Sequence, residues 1–405
     1  MSDESAQLAL HSALDELVEA GAALRDRERA SIAASLAQAW ALIADPERAL
    51  GRAAREQIPE SSGLTLPMVA WALSKTLREI EPTLEELARR MAPPEGTVEA
   101  PPRMGSLVLA GNVFTACVQP LCIALLAKAP TFVKASSADD TLPRLFVDAL
   151  AAVDPELAAA VLVLGVPRGH PTLEAAITSR ADVASVFGSD ATLTTLRART
   201  SANTTFIGHG HGLGLGWVEN GADLDEAASA FALDVAAYDQ RGCMSPHTIV
   251  TLDRVDATGF ARKLARALGE LATTLPRGPL PTGIGAAQMQ WRGVAVARGE
   301  LFEGDGWAVS LEENARPRLS PGWRNVMVTC VEDRAAFGEQ AGAFGAHLKT
   351  VGVAGDAIAL ARALPPGVSP RVATAGTMQT PSLLAYADGL PPWDGWRRFV
   401  SYPTG

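Results

Sequence analysis

Between Tyr238 and His247 the chain reads YDQRGCMSPH. The segment places one cysteine, Cys243, on what reads as a tight turn. Gly242 before it permits close backbone approach or a positive φ, and Ser245-Pro246 after it suits a chain leaving a turn. A cysteine so placed is expected to be exposed, and its thiolate is the form that attacks a carbonyl carbon. Arg241 and, when protonated, His247 bracket it with positive charge, which favours the thiolate. The competing reading is a half-buried structural cysteine; the polar neighbours and the turn favour the nucleophile.

Three further segments carry groups suited to a phosphate-bearing ligand: AGN at Ala110 to Asn112, KASS at Lys134 to Ser137, and FGSD at Phe187 to Asp190. Gly111 lets a ligand approach the backbone, and the Asn112 amide can donate to a developing oxyanion or simply cap the next helix. Lys134 can meet ribose hydroxyls or a phosphate, with Ser136 and Ser137 adding hydroxyls, or it can be a solvated lysine at a strand end. Gly188-Ser189 opens a helix whose first amides suit a diphosphate, and the same residues suit a plain N-cap.

The run FIGHGHGLGLGWV, Phe206 to Val218, has five glycines in nine positions and matches neither GxGxxG opening a helix nor GxxxxGK. Its backbone is expected to be unusual. His209 and His211 are separated by one residue, but nothing nearby completes a metal site, so no metal is expected. A proton-transfer or positioning role for one histidine is favoured over a satisfied loop histidine.

Elements must carry these groups. Up to about residue 90 the chain is rich in alanine and leucine at helical spacing, as in Leu8, Leu14, Leu17 and Leu24, and predicts a helical lead-in. Prolines at 93, 94, 101 and 102 end it. Short apolar runs at 106–110, 131–134, 161–164, 183–187 and 204–207 then alternate with helix-length segments, the pattern of a doubly wound parallel sheet. AGN, KASS and FGSD each follow one of these strands, where open parallel sheets bind ligands. After Gly216 a helical GADLDEAASAFALDVAAYDQ leads into the cysteine turn, and HTIVTL, GVAVAR, NVMVTC and LKTVGV read as strands of a second α/β domain.

With 405 residues, the chain is long enough for two cores. A net charge of -10 argues against a nucleic-acid surface. Of four cysteines, Cys117 and Cys122 lie five apart, off one helical face, and Cys330 ends an apolar run, so all three read as core. There is no CxxC pair, and the start MSDESAQLAL lacks signal-peptide character, so reduced thiols and a cytoplasmic location are expected. The uncharged stretch from Met104 to Ala127 is broken by Gly111, Asn112, Gln119 and Pro120 and reads as strand, turn and helix, with no membrane span.

Together these segments resemble the aldehyde dehydrogenase superfamily and, within it, the LuxC-type acyl-CoA reductases, from about Gly105 to the C-terminus. AGNVFTACVQP resembles the superfamily's asparagine-bearing first turn, KASS its lysine-serine cofactor turn and FGSD its Gly-Ser turn. YDQRGCMSPH resembles the LuxC-type cysteine segment, and RVATAGTMQTPSLLAYADG, Arg371 to Gly389, that family's C-terminal stretch. The resemblance implies an aldehyde dehydrogenase-like α/β fold of two doubly wound domains behind the helical lead-in. The lead-in and cofactor domain would occupy 1–217, the catalytic domain 218–375, and a C-terminal segment returning to the cofactor domain or an interface 376–405.

By the same resemblance Cys243 carries the acyl group, and Asn112 with the Cys243 amide forms the oxyanion hole. Lys134, Ser137, Gly188 and Ser189 contact the cofactor. Two departures matter. Where hydrolytic relatives keep the glutamate of a Glu-Leu-Gly-Gly motif to activate water, this chain has His209 and no carboxylate, so an acyl-enzyme should persist for hydride transfer or thiol exchange. The Glu-x-Phe-Gly-Pro motif that holds the nicotinamide ribose has SPGWRNV, Ser320 to Val326, as its nearest counterpart.

The resemblance therefore implies reduction of an acyl-CoA or acyl thioester to an aldehyde with NADP(H), NAD(H) being the alternative cofactor. His209 or His211 would supply the proton. It also suggests a homo-oligomer and leaves room for an acyl-donating partner enzyme. The competing readings are an NAD(P)-dependent aldehyde dehydrogenase, a cysteine acyltransferase or hydrolase using Cys243 and His247, and a protein that merely holds an acyl chain.

Overall fold

The computed structural model describes residues 3–136, 139–166, 179–313 and 315–403. Five helices open the chain: α1 (Asp3–Arg25), α2 (Arg29–Ala44), α3 (Ala49–Ser62), α4 (Leu66–Thr76) and α5 (Ile80–Arg90). They do not stand apart. Trp40 of α2 stacks on Phe146 with ring centroids 4.2 Å apart, and Leu36, Ile43, Leu84 and Leu87 share one core with Leu121, Leu125 and Val133. The lead-in is thus one wall of the first α/β layer.

Strands β1 (Thr97–Glu99), β2 (Gly105–Val108), β3 (Thr131–Ser136), β4 (Val161–Val166), β5 (Val183–Phe187) and β6 (Thr205–His209) follow. Five of them form an all-parallel sheet in the order β4-β3-β2-β5-β6. Every strand expected in this half is present within a few residues. The uncharged stretch from Met104 becomes β2, a 3-10 turn (Phe114–Cys117) and the helix Val118–Leu126. No helix among the described residues is long and apolar enough to cross a membrane.

The second sheet has seven strands: β7 (Leu213–Val218), β8 (Pro246–Thr251), β9 (Glu300–Gly304), β10 (Trp307–Leu311), β11 (Asn325–Cys330), β12 (Leu348–Ala354) and β13 (Arg371–Thr374). Their order is β13-β12-β7-β8-β11-β10-β9, parallel except for the β9-β10 hairpin. Both faces are covered. Phe231 and Phe260, from the helices Leu224–Ala236 and Arg254–Thr274, pack with Ile249 and Val328 on one face; Phe337 and Leu360 pack with Trp217, Val250 and Val351 on the other. Burial on both faces is why NVMVTC is a continuous apolar run. A last strand, β14 (Phe399–Ser401), pairs antiparallel with β1.

Two sequence expectations fail here. GVAVAR, read as a strand, is the end of the helix Ile284–Arg298. Its Val-x-Val alternation imitates a strand, but the buried positions are Gln288, Trp291 and Ala295, a helical spacing, while Val294 and Val296 remain 40% and 63% exposed. The run Phe206 to Val218 is not an irregular loop. It is two strands in two different sheets, β6 and β7, joined by Gly210, His211 and Gly212.

Candidate active site

That three-residue link marks the cleft. The first sheet presents the carboxyl ends of its strands to it, through the residues after β2, β5 and β6, whereas the second presents amino ends, through the residues before β7 and β8. Unlike AGN and FGSD, the cysteine turn therefore lies at the amino ends of its own sheet. Cys243 precedes β8 by three positions.

The chain reaches Cys243 through a sharp reversal. Tyr238, Asp239 and Gln240 are all left-handed, with φ of 50°, 54° and 58°, a conformation costly for residues with a β-carbon. Surrounding contacts hold it. Asp239 Oδ1 accepts from Arg324 Nη2 at 2.8 Å and Nε at 3.2 Å, and its Oδ2 accepts from the Gly278 amide at 3.0 Å. Gln240 donates to the carbonyls of Pro246 and Asn325 and accepts from the Asn325 amide. The Tyr238 and Thr115 hydroxyls share a hydrogen bond at 2.7 Å. Gly242 itself is not left-handed. It is needed for close approach, since a β-carbon there would lie 2.8 Å from Gln379 Oε1.

Cys243 is exposed, whereas Cys117, Cys122 and Cys330 are buried, as expected of core residues. Its thiol opens to solvent from a crowded recess: desolvation pushes its pKa up, opposed mainly by Lys349 and more weakly by Arg371, while Asp388 acts in the raising direction. The expected flanking cations play no such part. His247 is largely desolvated, with its pKa lowered to about 4, so it is neutral at pH 7. Its Nδ1 accepts from the Ser320 amide at 3.2 Å and meets the Ser320 hydroxyl at 2.9 Å. Arg241 turns toward the helical wall, donating to the Ser62 carbonyl at 2.9 Å and lying over Trp323.

Asn112 joins this turn. Its Nδ2 donates to the Arg241 carbonyl at 2.9 Å, two residues before the cysteine, and the amide keeps a second hydrogen to give. His209, the last residue of β6, stacks on Phe187 with centroids 4.1 Å apart. Desolvation lowers its pKa to about 4, against the pull of Asp388, so the imidazole is neutral at pH 7 and a weak base.

The first sheet has a topological switch point suited to a dinucleotide. Its strand order reverses between β2 and β5, the point at which open α/β sheets bind such ligands. Gly111 follows β2, and a β-carbon on it would sit 2.6 Å from Ser136 Oγ, so the AGN and KASS turns abut. Lys134 lies half-buried on β3. Ser189 caps the helix Asp190–Arg199, accepting from the Thr192 amide at 3.2 Å. Asp190 sits in the same first turn, its Oδ2 4.0 Å from His347 Nε2. These residues fit a phosphate-bearing dinucleotide held by helix amides and hydroxyls. Ser137 lies outside the described residues.

Sequence reasoning did not single out four residues that shape the site: Asp234, Arg371, Lys349 and Asp388. Asp234, buried on the helix Leu224–Ala236, accepts from the Gly376 and Met378 amides at 2.6 and 2.9 Å. Arg371 donates to the Thr377 and Met378 carbonyls. Both pin the C-terminal stretch behind the cysteine turn. A lone aspartate inside the apolar run FALDVAA was the available signal for Asp234.

The sequence profile of the acyl-CoA reductase (LuxC) family matches residues 74–398. The chain belongs to this family. Among curated relatives, long-chain acyl-protein thioester reductase 2 of Photobacterium leiognathi is 29% identical over 186 residues, which is 45% of this chain and 38% of that one. The long-chain acyl-protein thioester reductase of Aliivibrio fischeri is 28% identical over 188 residues, again 45% and 38%. The matched region thus spans about two fifths of these LuxC-family relatives. Among solved structures, aldehyde dehydrogenase 21 from Physcomitrella patens, in complex with succinate, superposes with a TM-score of 0.77 at 14% identity, covering 97% of this chain and 90% of that one. An NADP-dependent enzyme from E. coli gives 0.76 at 16% identity, covering 97% and 89%. The LuxC-family chain therefore has the aldehyde dehydrogenase fold.

Proposed function

We propose that the protein reduces an acyl thioester to an aldehyde with NADPH, through a thioester on Cys243. Family membership and the acyl-thioester reductase names of the partial relatives support the reaction class. The observation that carries the direction is His209. Where a hydrolytic dehydrogenase needs a base to activate water, this cleft offers a neutral imidazole with a pKa of about 4, stacked on Phe187. Such a group takes a proton from water poorly at pH 7, so the acyl-enzyme outlasts hydrolysis.

Cys243 as thiolate adds to the acyl carbonyl, and the carbonyl oxygen becomes an oxyanion facing the free Asn112 N–H and the Cys243 backbone amide. Collapse expels the donor thiolate, which takes up a proton from solvent, and leaves the acyl group on sulfur. One thioester replaces another, so no ATP is required. Lys134, Ser137, Gly188 and Ser189 would hold the cofactor, which supplies a hydride when bound in its reduced form. The same two donors stabilise the second oxyanion, whose collapse releases aldehyde and restores the thiolate. Lys134 with the neighbouring hydroxyls suits a 2'-phosphate, and a similar fold serves the NADP-dependent enzyme of E. coli. The acyl donor is CoA or a carrier protein.

NADPH absorbance is followed with an acyl-CoA chain-length series, comparing the parent protein with Cys243→Ala and trapping aldehyde. The expected result is NADPH oxidation matched by aldehyde and free CoA, abolished by the substitution. Oxidation that survives Cys243→Ala overturns the covalent route. CoA release without oxidation moves the protein to acyl transfer or hydrolysis.

A further inference from the structure

Strand β12 begins with an irregularity beside the cleft. Leu348 pairs with Leu213 and Thr350 with Gly214, which leaves Lys349 as the extra residue of a bulge, a device that re-aims one side chain. Its stem crosses the sheet link: a β-carbon on Gly212 would overlap Lys349 Cγ and lie 3.1 Å from Cδ and Cε. Its ammonium donates to Asp388 Oδ1 at 2.6 Å, and the lysine side chain is only 15% exposed. Withdrawing an ammonium from water is costly, and no step of the proposed reaction uses this one. Lys349 and Asp388 nevertheless act electrostatically on both Cys243 and His209.

We propose that Lys349, aimed by the bulge and held over Gly212 by Asp388, is a positioning residue that presents the positive charge against which Cys243 ionises. This rests on reading Cys243 as the nucleophile. Gly214 of β7 pairs with Thr350 on one side and with Pro246 on the other, which sets Lys349 across a single strand from the cysteine turn. The charged groups acting on the thiol are Lys349, Arg371 from β13 and Asp388 from the C-terminal stretch; His209 from β6 is neutral at pH 7. Arg371 is bound to the Thr377 and Met378 carbonyls and exerts the weaker pull. Lys349 opposes desolvation most, and Asp388 keeps it from reaching out to solvent while acting on the thiol in the reverse sense.

The test is the pH profile of iodoacetamide alkylation at Cys243, which the burial of the other three cysteines makes specific. Lys349→Met is expected to move the profile to higher pH and slow alkylation at pH 7 by at least about threefold. Lys349→Arg should restore most of the rate. Gly212→Ala, which displaces the lysine stem without removing a charge, should follow Lys349→Met. Asp388→Asn keeps an oxygen to accept from the lysine ammonium while removing the opposing charge, and should shift the profile the opposite way. A merely structural role would not give shifts of opposite sign in variants that melt like the parent. Superimposable profiles for folded Lys349→Met, or for Gly212→Ala should the former not fold, overturn the proposal. Alkylation needs neither acyl-CoA nor NADPH, so a failure of the reductase reading leaves these shifts in place and is seen separately.

Discussion

Replacing Arg324 with methionine tests whether the cysteine turn is held from beneath. The guanidinium and the Asp239 carboxylate are 2% and 1% exposed, and Arg324 also donates to the Leu275 carbonyl at 2.7 Å. Methionine fills a similar volume but leaves Asp239 with the Gly278 amide as its remaining partner. Removing one member of a buried pair costs about 3–5 kcal/mol, because the other charge stays buried without compensation. Three consecutive left-handed residues are intrinsically disfavoured, so the turn changes shape once the brace is gone. For a cooperative unit of roughly 150–250 residues each kcal/mol is worth about 2–4 °C, so the melting midpoint should fall by on the order of 10 °C. Cys243 alkylation should change with it, since the turn relaxes. Arg324→Met combined with Asp239→Asn should recover part of the loss, as no buried charge is left behind. Melting of Arg324→Met within about 2 °C of the parent, with alkylation at the parental rate, would refute a brace beneath the turn.

Two more outcomes are expected. Asn112→Ala should lower kcat about a hundredfold or more, the usual effect of losing one oxyanion donor, while Cys243 alkylation changes little; equal losses in both would assign Asn112 only the tie to Arg241. His209 has its pKa lowered from 6.5 to about 4, so the unfolded chain binds this proton more readily and stability falls as the pH drops from about 6.5 toward 4. Between pH 6.5 and 5 this contributes roughly 2 kcal/mol. His209→Phe, which keeps an aromatic ring on Phe187, should reduce the acid loss by about that amount and leave the similar share due to His247; an unchanged acid loss would refute the assignment.

The strands of the first sheet were legible because each is a short apolar run ended by glycine, proline or a polar turn. The second sheet was less so. The segment ELFEGDGWAVSL becomes the β9-β10 hairpin around Asp305 and Gly306, and its Asp-Gly pair was the available turn signal. In the site, Cys243 and Asn112 could be named from local composition, because a glycine-preceded cysteine and an asparagine after a strand carry their chemistry with them. His247 misled: adjacency suggested a cation, but only burial against Ser320 shows that it is neutral. Lys349 and Asp388 belong to segments 106 and 145 residues beyond Cys243. Their role comes from a bulge and a chain reversal that no local pattern encodes.

The passage from β6 to β7 has a consequence for timing as well as shape. Gly210, His211 and Gly212 are the whole link between the last strand of the first sheet and the first strand of the second, and the four steps from His209 to Leu213 reach at most about 14 Å. The link works as a ruler. Any relative motion of the two halves must keep the ends of β6 and β7 within that tether, so at this floor the cleft can open by rotation and not by separation.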